Sequence, residues 1–119
     1  MVVRRMKTYT AATGYVYQYY FVGKRFVPDE TEGPATEFVF DVTPDRKTTY
    51  ATSVFLLRRA SDAWAAAHGR SLSDTEQYAA AKLRLFQGFD EVENFPQAGR
   101  HLVIEAGNLE ELLGTLGLE

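Results

Sequence analysis

Hydrophobic positions recur at a period of two through residues 13–22, and the alternation there has almost no polar half. Tyr15, Tyr17, Tyr19 and Phe21 point to one side of a strand. Val16, Tyr20 and Val22 point to the other, with Gln18 as the clear polar interruption. A long loop then runs from Gly23, Lys24 and Arg25 through Gly33 and Pro34, more than a hairpin needs. A second strand covers 37–42, where Phe38, Phe40 and Val42 share a face. Thr43-Pro44-Asp45-Arg46-Lys47 is turn chemistry, and a third strand rich in β-branched and aromatic residues follows over 48–57.

The period then lengthens to that of a helix. Ser61 predicts the cap of a short helix over 62–68, which Gly69 stops. Ser73-Asp74-Thr75-Glu76 fits a capping box that opens a longer helix to about residue 90. Pro96 and Gly99 punctuate a loop, and 101–105 reads as a fourth strand. Asn108 repeats the cap-and-acid spacing before a final helix with Leu109, Leu112, Leu113 and Leu116 on one side, ended by Gly117. The expected fold is a single α+β domain over 1–119, with 1–9 as a flexible lead-in. Its four-stranded, mainly antiparallel sheet, in the element order βββ-αα-β-α, has helices packed on one face.

That architecture leaves one sheet face wet, and a wet face should be polar. The first strand is not polar on either side. Tyrosine supplies a large flat surface with a polar tip, so the expectation is that the face bearing Tyr15, Tyr17, Tyr19 and Phe21 docks on a partner. A second copy fits best, because a symmetric dimer lets one face meet itself. The function expected is therefore that of a small binding or regulatory domain that self-associates, with another protein as a possible partner.

Composition narrows this without redirecting it. The chain has 119 residues, enough for a core without staples, and no cysteine, which excludes disulfides, thiol nucleophiles and thiolate metal sites. No apolar run approaches the ~20 residues of a membrane span, and no signal-peptide core follows Arg4, Arg5 and Lys7. A cytoplasmic protein away from membranes is the expectation. The net charge of −3 conceals segregation. Residues 1–25 hold five bases and no acid, residues 26–45 hold six acids and no base, and from Phe86 onward seven acids face Arg100 alone. Such blocks pair within a fold or between copies.

Candidate chemistry is sparse, and no catalytic residue, cofactor or metal is assigned. In the longer helix Tyr78, Leu85, Phe86 and Phe89 define the apolar face, and Lys82 falls in its middle. A lysine there is either desolvated and reactive or packs its stem while the ammonium reaches outward. Trp64 and His68 share a helix face, and His68 beside Gly69 suits a helix C-terminus. The two histidines have no metal-binding spacing, and no phosphate-cradling or nucleophile-elbow motif is present. One alternative function is a small-ligand or enzymatic pocket between sheet and helical hairpin, lined by Tyr78, Phe86, Trp64 and strand aromatics, with Lys82 or His68 as polar anchor. Another is single-stranded nucleic acid stacking on the tyrosines beside Lys24 and Arg25, against which stands a pI of about 5.4.

Overall fold

The computed structural model describes residues 6–28, 32–92 and 100–117. Among these, five strands and three helices make an α+β domain. In chain order they are β1 (Lys7–Thr10), β2 (Val16–Val27), β3 (Ala35–Thr43), β4 (Tyr50–Leu57), α1 (Arg58–His68), α2 (Asp74–Glu91), β5 (His101–Ile104) and α3 (Ala106–Thr115). The sheet order is β1-β2-β3-β4-β5, antiparallel except for the parallel pair β4–β5. A parallel neighbour needs a crossover, and α1 with α2 supplies it.

The meander of the second to fourth strands matches expectation, but the sheet has five strands rather than four. The fifth, β1, lies in the stretch expected to be a flexible lead-in. Tyr9 pairs with Tyr17 across the ladder and stacks on Phe86 at 4.2 Å between ring centroids, so tertiary packing holds a segment that lacks a hydrophobic pattern of its own. Residues 1–5 of that lead-in, and Pro96 and Gly99 of the predicted loop, lie outside the described residues. The long loop expected from Gly23 is also shorter: β2 runs on to Val27, with an irregularity of register between Phe21 and Gly23.

Helix boundaries show which caps matter. The first helix starts at Arg58, not beyond Ser61, whose hydroxyl donates to the Arg58 carbonyl instead of capping. Gly69, at φ 74°, ends it as predicted. The Ser73–Glu76 capping box is present, with both reciprocal bonds made. The last helix begins earlier than Asn108, which occupies its third position and receives the Glu105 amide. Leu109, Leu112 and Leu113 are buried there as expected, while Leu116 lies past the end and is exposed.

Register separates the two sheet faces. Tyr9, Tyr17, Tyr19, Phe21, Phe38, Phe40, Val54, Leu56, Leu102 and Ile104 share the side on which the helices pack. The opposite side carries Thr8, Gln18, Arg25, Glu37, Asp41, Thr43, Ser53 and His101, interspersed with Val16, Tyr20, Val39 and Phe55. The tyrosine face is therefore not the wet one. Tyr17 and Tyr19 are 2% and 4% exposed, because α2 brings its own rings to meet them. Phe89 stacks on Tyr17 at 4.5 Å, and Phe86 meets Tyr19 edge-on at 5.4 Å. Each such pair adds about 0.5–1.5 kcal/mol beyond area burial.

Candidate functional site: a cationic aromatic pocket

Tyr78, Lys82, Phe86 and Phe89 recur along α2 at intervals of four, four and three residues, which places them on one helix face. That face looks onto β1 and β2. Lys82 thus arrives above the sheet between two aromatic rings, with its Nζ 5.9 Å from the centroids of both Tyr19 and Phe86. On the sheet, Lys7 stands opposite Tyr19 in the β1–β2 ladder. Both amines therefore lie beside Tyr19, near enough for the charge of one to act on the other. Burial, followed by the charge of Lys7, holds the Lys82 ammonium below the ordinary lysine value. Neither lysine has a carboxylate partner among the described residues.

A cavity of about 140 Å³ opens here, lined by Lys7, Tyr19, Tyr20, Phe21 and Tyr78. Burial, and secondarily Tyr78, raises the Tyr19 phenol above its ordinary value, so it remains a neutral hydroxyl. A second groove of about 390 Å³ shares the walls Phe21 and Tyr78 and continues over Phe38 to Lys24, Asp74 and Thr75. At its far end Lys24 Nζ pairs with Asp74 Oδ1 at 3.2 Å. Two adjacent amines without a counter-charge attract an anion, and the aromatic walls partly shield Lys82 from water while Lys7 is exposed.

The residues singled out from the sequence divide sharply. Tyr19 and Phe21 line this pocket, Lys82 stands beside it over the Tyr19 ring, and Lys24 closes the far end of the adjoining groove. Tyr17 is a core residue beneath Phe89, so neither it nor Tyr19 offers an open stacking platform for a partner protein or for nucleic-acid bases. Tyr15 is 60% exposed at the start of β2, its ring 6.5 Å from that of Tyr17. Arg25 lies on the opposite sheet face, where its Nε donates to Glu37 at 2.6 Å. The α1 pair sits elsewhere: Trp64 stacks between His68, at 4.2 Å, and the Arg70 guanidinium, at 5.0 Å. His68 Nε2 is 2.9 Å from Glu110.

Sequence reasoning did not place Lys7 at this pocket. The alternation of Lys7 with Tyr9 on one side of β1, and Thr8 with Thr10 on the other, was a usable signal, but too short to outweigh the polar composition around it.

The uncovered face holds a polar network of its own. Ser53 Oγ and Arg25 Nε both donate to the Glu37 carboxylate, each at 2.6 Å. Burial alone would raise the Glu37 pKa, but the bonds from Ser53 and Arg25, with the charges of Arg25 and His101, outweigh it and hold the carboxyl below its usual range. This network is satisfied by its own members. Beyond it, a shallow polar groove of about 560 Å³ is lined by Met6, Gln18, Asp41, Thr43, Arg46 and Thr49. Among the described residues no cluster of His, Cys, Asp and Glu is arranged to hold a metal ion, and no helix is long and apolar enough to cross a membrane.

Comparison with protein-family models, with curated proteins and with solved structures finds no match for this chain.

Proposed function

We propose that this protein is a small-ligand-binding domain, and that the pocket between sheet and α2 takes the anionic group of its ligand. The observation that carries the reading is the placement of Lys7 and Lys82 on either side of Tyr19, neither of them ion-paired with a carboxylate among the described residues. Setting a second positive charge beside a half-buried ammonium carries an electrostatic cost. A bound anion removes that cost, and two phenol groups nearby supply hydroxyl donors. Titration with acetate against chloride at matched ionic strength, followed by amide NMR, tests it. Shifts confined to β1, β2 and the middle of α2, absent in Lys7→Met and Lys82→Met, are expected. Equal responses to the two salts in the parent protein would refute the reading.

A second reading keeps self-association but moves it to the other sheet face. Val16 and Val22 on β2 are half-exposed, at 50% and 49%, and Val16 lies on the side the helices leave uncovered. A homodimer through that side would bury Val16 against its counterpart. Light scattering during size-exclusion chromatography decides it: a 13.4 kDa monomer at micromolar concentration counts against the dimer.

A further inference from the structure

We propose that the ligand is an amphiphilic carboxylate of medium chain length, with its head group between Lys7 and Lys82 and its tail in the groove over Phe38. The inference rests on the anion-binding reading of the pocket and extends it to the whole ligand. Its basis is that two cavities of opposite character share the same walls. The smaller is cationic, while the larger is floored and flanked by the rings of Phe21, Phe38 and Tyr78. Phe21 and Tyr78 meet edge-on at 4.9 Å and form the ridge between them, so a chain leaving the amines crosses aromatic surface throughout.

Charge sets the polarity of the ligand. Among the described residues no carboxylate pairs with the Lys7–Lys82 end, whereas the Lys24–Asp74 pair at the far end is self-neutralised and asks for no second charge. The N-terminus of α2 lies at that far end, but its capping box already occupies the amides of Ser73 and Glu76, so a phosphate gains little there. The sequence also holds no glycine-rich cradle for a nucleotide. Length follows from α2: Lys82 and Thr75, at the two ends of the paired cavities, are seven residues apart on the helix, about 10.5 Å along its axis, the reach of an extended chain of about eight carbons.

The test is calorimetric titration of the full chain with acetate, octanoate, octanol and octylammonium, the amphiphiles kept below their aggregation concentrations. Octanoate is expected to bind about tenfold or more tighter than acetate, from burial of its methylenes, and tighter than octanol or octylammonium. Lys82→Met should abolish the preference for octanoate over octanol. Thr75→Trp, at an exposed site on the groove wall, should abolish the gain with chain length and leave acetate binding intact. If that variant fails to fold, octanoate-specific NMR shifts at Thr75 and Tyr78 of the parent protein carry the same information. Equal affinities for octanoate and acetate, with acetate still dependent on Lys82, would overturn the tail assignment alone. Octanol binding as tightly as octanoate would overturn the head assignment. Absence of any anion response would overturn both this inference and the pocket's anionic reading.

Discussion

The Tyr9 hydroxyl donates to Asp90 Oδ2 at 2.8 Å, joining residues 81 positions apart. The other oxygen of Asp90 accepts the Ala12 amide at 2.8 Å, so one carboxylate at the end of α2 ties down both β1 and the turn after it. Lys7 reaches the pocket because β1 is held in this way. The hydrogen bond is charge-assisted and partly buried, and Tyr9→Phe is expected to cost about 1 kcal/mol. Denaturant unfolding measures the loss. Native-state hydrogen exchange should show it concentrated in β1, and uniform loss of protection would contradict the anchoring role.

Three phenols titrate against the fold. Burial comes first in raising Tyr9, Tyr17 and Tyr19 above the ordinary value of 10.0; Asp90 adds to it for Tyr9, Tyr15 for Tyr17 and Tyr78 for Tyr19. A raised folded-state pKa contributes stability that is fully present below the unfolded value and lost as pH rises through the folded one. Stability should therefore decline above about pH 10. Tyr9→Phe should soften the decline. Unfolding midpoints collected from neutral to alkaline pH check both statements.

At the start of α2 the sign is reversed. The Arg70 guanidinium, then the Ser73 amide, hold Glu76 well below its ordinary 4.5, at about 2. This contribution is present above the ordinary value and lost as pH falls toward about 2. Glu76→Gln should flatten that part of the acid limb. Ser73→Ala removes the side-chain cap and should cost about 1 kcal/mol, read as a lower denaturation midpoint with an unchanged slope.

In the pH range where Lys82 titrates, ligand binding at the pocket should take up a proton. Lys82 sits below the ordinary lysine value of 10.5 in the free protein, through burial and then the Lys7 charge. An anion between the two amines favours the doubly charged state and raises that pKa again. Affinity for acetate should accordingly fall as pH rises through the Lys82 titration, which comes before that of an ordinary lysine, and calorimetry there in buffers of different ionisation enthalpy should register the proton. A flat pH profile would show that Lys82 does not face the anion.

Removing the charge itself should help the fold. Lys82→Met keeps a flexible stem over Tyr19 and Phe86 and removes a partly desolvated ammonium, so a gain of up to about 1 kcal/mol is expected in thermal or denaturant unfolding. A loss instead would mean that the ammonium has a structural partner.

Local chemistry carried much of the architecture. Alternation placed Phe38, Phe40 and Val42 on one buried face, the Ser73–Glu76 pair marked where α2 opens, and Gly69 marked where α1 stops, because each rests on neighbours within a few residues. The oddity of Lys82 on an aromatic stripe was equally visible. Tertiary structure alone decided which side of β2 is covered, since Tyr15, Tyr17 and Tyr19 carry the same pattern whether a partner or Phe86 and Phe89 meets them. It also decided that Lys7 belongs to a strand and stands beside Lys82, a juxtaposition made by the Tyr9–Asp90 bond and by ring stacking across most of the chain. Periodicity reports which residues seek cover. What covers them depends on contacts that no local window contains.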